Sequence, residues 1–241
     1  MYMKRIYTCK IAILLLGLYF VMLASCAARI EGSVAANGSA SLSVSVSLMP
    51  RMAAMIRSVA AAGGQTDIQV LDGPEISRSM STAPGIQSVN LRNTFSTAID
   101  GTVQISQLGD FLSSADGQGF ITFRQEAGNG HIGINITRDN GPEMLEKLSP
   151  DISDYLHALM APIVTGEEMS NADYLELIAV FYNKAISEEI ADSKIRASIE
   201  FPGTITNIKG GTFAGRRANF DIPLLDLLVL EKPLSYEVSW N

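Results

Sequence analysis

Alternating polar and apolar residues predict a β-hairpin near the start of the chain. From Ser39 to Leu48 every second residue is a serine, and Ala, Leu and Val occupy the positions between them. A period of two is typical of a strand with one buried and one solvated face. Asn37-Gly38 precedes this run and favours a type I′ turn, so residues 29–48 are predicted to pair as a hairpin.

Two short helices are predicted between residues 50 and 85. The first opens at Pro50, because proline is favoured at the first helical position, and ends at Gly63-Gly64. Its apolar face recurs at intervals of three and four residues and comprises Met52, Met55, Ile56 and Val59. The second helix starts after Asp72 with Pro74 in its first turn, and Ala83-Pro84-Gly85 ends it.

Two blocks of strands follow, separated by a helical segment. The first block is predicted to contain Ile86–Phe95, Thr97–Gln107, Gly119–Gln125 and His131–Arg138, with one helical turn at Leu108–Ser114. Asn129-Gly130 is predicted to form a second hairpin turn. The second block is predicted to contain Ile195–Phe201, Thr204–Lys209, Thr212–Phe220 and Leu234–Trp240, with a turn at Gly210-Gly211 and a leucine-rich connection over residues 221–230.

Residues 142–193 change to a helical period. One helix is predicted to begin at Ser149-Pro150 and to stop near Pro162. A second follows Ser170-Asn171-Ala172-Asp173, which matches the capping-box pattern. The predicted fold is therefore α+β, with an antiparallel β-sheet, short N-terminal helices and an inserted helical hairpin.

The first 26 residues resemble the signal segment of bacterial lipoproteins. Lys4, Arg5 and Lys10 precede an apolar run of about 13 residues, shorter than the ~20 that span a bilayer. The run ends in Leu23-Ala24-Ser25-Cys26, which resembles a lipobox. The resemblance implies that residues 1–25 are removed and that Cys26 carries a diacylglyceryl group and an acyl chain such as palmitate. Residues 26–241 would then form one envelope domain anchored to a membrane by several acyl chains.

Two alternatives to lipidation stay open at this point. The segment around Cys26 also fits an ordinary secretory signal cut after Ala28, and a retained transmembrane anchor is the third reading. Ala27 directly follows the predicted lipidation site. If Cys26 is lipidated, Ala27 permits delivery to the outer membrane, because in the best-studied sorting system an aspartate at this position retains the protein in the inner membrane.

The order of elements also resembles the LppM-type lipoprotein domain. The shared features are the N-terminal hairpin, the late helical insert and the strand that leads into Phe201-Pro202-Gly203 before the final strands. That resemblance implies a sheet-plus-helix fold whose apolar groove binds lipid or glycolipid. The chain differs from that family in ending at Trp240-Asn241 without a C-terminal transmembrane helix.

Composition and motifs favour binding over catalysis. A net charge of -7 without a basic stripe argues against nucleic acid as a partner. Two Cys and two His do not predict a metal or cofactor, and no nucleophile–base motif predicts an enzyme. The candidate residues for such chemistry are His131 and His157 as metal ligands and Glu167-Glu168 as a carboxylate pair. Arg216-Arg217 is a candidate for binding an anion, and because adjacent residues of a strand face opposite sides, at most one of the two arginines is expected to face any given site.

Two functions follow as hypotheses. In the first, the protein binds a lipid or another apolar ligand in a groove lined by Met52, Met55, Ile56, Leu224 and Leu228. Ordinary core packing is the alternative role for these five residues. In the second, the protein is a structural or adaptor lipoprotein that docks a protein partner of the envelope. A hydrolase ranks last.

Overall fold

Strands from distant parts of the chain make up two sheets. The structure is a computed structural model that describes residues 26–62, 71–115, 119–126, 129–142, 156–157 and 159–241. The predicted signal segment, the stop at Gly63-Gly64 and the helix start at Ser149-Pro150 lie outside these residues. The strands are β1 (Cys26–Val34), β2 (Ala40–Ser47), β3 (Ile86–Phe95), β4 (Ala98–Ile105), β5 (Ile121–Glu126), β6 (Asn129–Ile136), β7 (Lys194–Glu200), β8 (Ile205–Lys209), β9 (Thr212–Ala214), β10 (Arg217–Pro223) and β11 (Leu234–Trp240).

Helices connect and cover these strands. They are α1 (Pro50–Ala62), α2 (Gly73–Met80), α3 (Leu108–Ala115), α4 (Pro162–Thr165), α5 (Asn171–Phe181), α6 (Lys184–Asp192) and α7 (Leu224–Val229). The α+β class is confirmed, and the strand pairing is mostly antiparallel. The sequence predicted a helical hairpin made of one helix before Pro162 and a second after Ser170. Most of the first helix lies outside the described residues, and the second is divided into α5 and α6, which pack against each other.

The larger sheet has seven strands in the order β3-β4-β2-β1-β7-β10-β9, with β1 at its centre. β1 pairs antiparallel with β2 and parallel with β7, so it joins the N-terminal strands to the C-terminal ones. The smaller sheet has the order β5-β6-β11-β8. The sequence predicted neither the second sheet nor the parallel pair, because both depend on contacts between residues far apart in the chain.

Two apolar clusters form the core. The first lies among the helices and includes Met52, Tyr174, Ile178 and Val229. The second lies between the two sheets, where Trp240 packs on Phe201 with ring centroids 4.7 Å apart. Helix α2 lies against the edge strand β3. The Ser77 hydroxyl of this helix accepts a hydrogen bond from the Leu91 backbone N–H at 2.8 Å.

Side-chain caps fix the helix boundaries. Ser170 Oγ accepts from the Asp173 N–H at 3.1 Å, which confirms the predicted start of α5. The single helix predicted after this cap is wrong, since Asn183 is extended and its side chain caps a separate helix, α6. Residues 156–157 are helical, residues 159–160 form a turn and Ala161 is extended, so the predicted stop near Pro162 is confirmed, and Pro162 itself begins α4. The first turn of α1 donates to Glu189, with the Met52 N–H 3.1 Å from Oε2.

Two turn predictions and one strand prediction differ from the structure. Gly38 has a φ of 83° but Asn37 has no positive φ, so the loop is not type I′. Asn129-Gly130 begins strand β6 instead of forming a turn. The predicted strand Thr212–Phe220 is divided into β9 and β10, because Gly215 takes a φ of 60° between them.

Gly130 provides a test of the packing between the sheets. A Cβ added there would lie 2.0 Å from the Trp240 ring, so alanine must displace the largest buried side chain. We predict that Gly130→Ala lowers the free energy of unfolding by about 1–3 kcal/mol. Trp240 is the chain's single tryptophan, so its emission during urea unfolding measures the loss.

Gly109→Ala is the matched control, because a Cβ there, inside helix α3, would lie 3.3 Å from the edge of the Phe123 ring, a tight contact that a shift of a few tenths of an ångström relieves. Equal stability of Gly130→Ala and the wild type would contradict the packing described.

Candidate functional site

The apolar face of the larger sheet is only half-buried at its centre. Register pairing aligns residues of β2, β1, β7 and β10 in rows across this face. We call six half-buried residues of two such rows the apolar strip: Ala28, Ile30, Val46, Ile195, Ala197 and Ile222. Val44 and Phe220, at the two ends of the second row, pack against the second cluster and are not counted in the strip. Among the described residues, the strip belongs to neither of the two apolar clusters. It is therefore an apolar surface in the middle of a sheet that other elements do not fully cover.

Packed apolar neighbours border the strip on its sides. Ile99 of β4, which pairs with Val46, is 4% exposed. On the other side Phe220 packs edge-on against Tyr236 of the smaller sheet, with centroids 5.9 Å apart. The strip thus lies between the part of the sheet that is covered by the second cluster and the end of the sheet where α7 begins.

The five residues predicted to line a groove lie together in the first cluster. Met52, Met55, Ile56 and Leu228 are between 3% and 8% exposed and pack among the helices. Leu224 is half-buried and starts α7, two residues after Ile222 of the strip. The structure brings these residues together in the packed interior, and their part in ligand binding stays a prediction.

Sequence reasoning missed the strip as a site. The alternation in β2 identified Val46 as inward-facing, but it did not show which strands lie beside it. The parallel pairing of Ile30 with Ala197 joins residues of the first and last thirds of the chain. Only this pairing makes a continuous apolar surface out of four short alternating segments.

The opposite face of the same strands is charged. Arg196 pairs with Asp221 at 3.7 Å, and Arg29 pairs with Glu31 at 3.8 Å. These residues border a shallow cleft of about 160 Å³. The two faces of the sheet centre therefore differ sharply in polarity, as alternation in all four strands requires.

Arg216 and Arg217 both contact Glu200, one at each carboxylate oxygen. The expectation that at most one of them faces a given site is wrong, because Arg216 lies in the turn before β10 and is not bound by the alternation of a strand. The hydrogen bonds from Arg216 and then Arg217 lower the pKa of Glu200. Their guanidinium groups already hold an acidic side chain of the protein.

A second cleft, of about 320 Å³, is lined mainly by polar residues: Asn171, Asp226, Glu231, Lys232 and Leu234. The Asn171 side chain donates to Asp226 Oδ1 at 2.7 Å, and its backbone N–H donates to Glu231. Burial, and then the charge of Asp226, raises the pKa of Tyr236. The hydrogen bond from Asn171 to Asp226 connects the start of α5 to α7 at this cleft.

The other candidate residues are separated from one another. His131 contacts Ser239 Oγ at 3.0 Å on the smaller sheet, whereas His157 is exposed in the helical segment. Glu167 and Glu168 are exposed, and Glu168 lies 3.7 Å from Arg138. Among the described residues, no three His, Cys, Asp or Glu side chains converge as metal ligands would.

Cys26 begins the central strand of the larger sheet. Its backbone pairs with Lys194 at the start of β7, and Ala28 is paired on both sides, with Val46 and Ile195. The predicted lipidation site is therefore adjacent to the sheet without an intervening linker. Within the described ranges, no helix combines the length and hydrophobicity that a membrane span needs.

Comparisons with known proteins find one distant structural neighbour to report. No family model matches the chain, and no curated protein matches it. The folded domain of the Mycobacterium tuberculosis LppM protein, solved by NMR, has a TM-score of 0.41 and 10% sequence identity, covering 90% of this chain and 91% of that one. The two structures are only distantly similar.

The contacts of Glu200 predict a measurable titration. Because its pKa is lowered in the folded protein, the stability from these contacts is present at neutral pH and is lost as pH falls through the lowered value. We expect NMR titration to place the Glu200 pKa below that of an unpaired glutamate. Arg216→Ala should raise it more than Arg217→Ala, since the Arg216 contribution is larger.

Arg196→Ala is the control, because Arg196 pairs with Asp221. A Glu200 pKa that does not respond to loss of Arg216 would contradict the described contacts.

Proposed function

We propose that the chain is a lipid-anchored protein of the bacterial cell envelope that binds a lipid or another apolar ligand on the apolar strip. The lipobox resemblance at Cys26 supports the anchor. The half-buried state of the strip supports the ligand site, and it is the observation on which the proposal depends. Burial of such a surface by an apolar ligand is favourable by about 25 cal/mol per Å².

The size of the strip suits an acyl chain. Four adjacent strands place β2 and β10 about 15 Å apart, given a spacing of about 4.8 Å between neighbours. One leaflet of the hydrocarbon core of a bilayer is also about 15 Å thick. An extended acyl chain laid across the strands would therefore cover the strip from Val46 to Ile222.

Polar substitution on the strip tests ligand binding. We expect the full chain, purified in detergent and mixed with an envelope lipid extract, to retain a lipid adduct in native mass spectrometry. The double variant Val46→Thr and Ile222→Thr places two hydroxyl groups on the strip, and each unpaired hydroxyl costs about 1–3 kcal/mol on burial. Adduct affinity should fall by about tenfold or more.

Val180→Thr is the matched control, because Val180 is 76% exposed on helix α5. Equal adducts in all three proteins would contradict binding at the strip. The intact mass of the same preparations reports the anchor independently: we expect diacylglyceryl and acyl groups on Cys26, and none in Cys26→Ser.

A second candidate function is docking of a protein partner. Val180 and Phe181 are adjacent at the end of α5 and are 76% and 63% exposed. A partner that covers these two side chains would remove their apolar surface from water. A lipidated protein that retains no lipid adduct would favour this adaptor function.

A further inference from the structure

Six strand ends of the larger sheet lie at the same side of the molecule as Cys26. We call this side the anchor edge, and it is formed by Cys26 of β1, Ser47 of β2, Phe95 of β3, Ala98 of β4, Lys194 of β7 and Pro223 of β10. Register confirms the alignment, since Ser47 pairs with Ala98, Ala98 with Phe95, and Lys194 with both Cys26 and Pro223.

A large apolar side chain projects from the anchor edge. Phe95 ends β3, next to the two-residue turn that leads into β4, and its side chain is 74% exposed. Three strand spacings separate β3 from β1, which places Phe95 about 15 Å from the start of β1. Exposure of a phenyl ring to water is unfavourable, so a partner that covers Phe95 binds more favourably because it removes this apolar surface from water.

The position of Cys26 determines what lies beside the anchor edge. Only Ala27 separates Cys26 from Ala28, which is paired with β2 on one side and with β7 on the other. At about 3.3 Å per residue, lipid attached to Cys26 would hold the sheet end within about 10 Å of the membrane surface. Arg51, exposed in the first turn of α1 just after β2, adds positive charge where anionic headgroups would lie.

We propose that the anchor edge is a membrane-contact surface and that Phe95 inserts into the interfacial region of the bilayer. This inference rests on the proposed lipid anchor at Cys26 and adds a second attachment point to it. Two points about 15 Å apart restrict rotation of the domain about the lipid. The end of the sheet that carries the β3–β4 turn would then face the membrane, together with the first turns of α1 and α7, which closely follow Ser47 and Pro223.

Tryptophan at position 95 tests the contact. The full-length lipidated chain is reconstituted into vesicles of phosphatidylethanolamine and phosphatidylglycerol that contain phosphatidylcholine with brominated acyl chains. We expect these lipids to quench the added emission of Phe95→Trp about twofold or more, because interfacial aromatic rings reach the brominated region. Ser96→Trp, at an exposed position in the same turn, is a second reporter.

Phe213→Trp is the matched control. Phe213 is 46% exposed, and it aligns with Gly32, four residues along β1 from Ala28 and away from the anchor edge. Trp240, 2% exposed in the second cluster, supplies the unquenched baseline and shows that each variant is folded. Quenching at positions 95 and 96 but not 213 supports the proposal.

Other outcomes overturn it. Equal quenching at positions 95 and 213, or none at 95, excludes the anchor edge as the surface that faces the membrane. Blue-shifted emission at position 95 without quenching shows a protein partner or a second copy of the chain over Phe95 instead. Intact mass separates the two claims: an unmodified Cys26 overturns the anchor and this inference together, whereas a modified Cys26 without quenching overturns this inference alone.

Discussion

The parallel pairing of β1 with β7 is the interaction on which the rest of the structure depends. It brings the strand that starts at Cys26 into the centre of the seven-stranded sheet and joins β2, β3 and β4 to β9 and β10. It also aligns Ile30 with Ala197 and Ala28 with Ile195, and so completes the apolar strip. Without this pair the two halves of the sheet would each expose an unpaired edge, which is prone to association with other chains.

The strip exists because the core is divided into two. Sheet-on-sheet packing fills the end of the larger sheet near Trp240, and the helices fill a separate cluster that contains Met52 and Leu228. The centre of the sheet, from Val46 to Ile222, lies between these two packed regions and keeps apolar side chains half-buried.

Local signals predicted much of the fold. β3 and β11 occur over the predicted residues, Pro50 begins α1, and the Ser170 cap begins α5, because each depends on residues adjacent in sequence. Contacts between residues far apart in the chain could not be predicted, because alternation does not show that β1 pairs parallel with β7 or that Gly130 lies under Trp240. For the site, the sequence left a ligand groove and core packing both open for Met52 and Leu228, and the structure places both in the interior, since burial depends on tertiary packing.

Hydrogen exchange along β1 tests most directly whether the anchor is continuous with the sheet. In the membrane-bound full chain, amides of residues 28–34 should exchange as slowly as those of β10, because strands on both sides hold β1. Rapid exchange at residues 28–31 with slow exchange in β7 and β10 would contradict the account. It would show that the start of β1 detaches from the sheet and acts as a flexible tether.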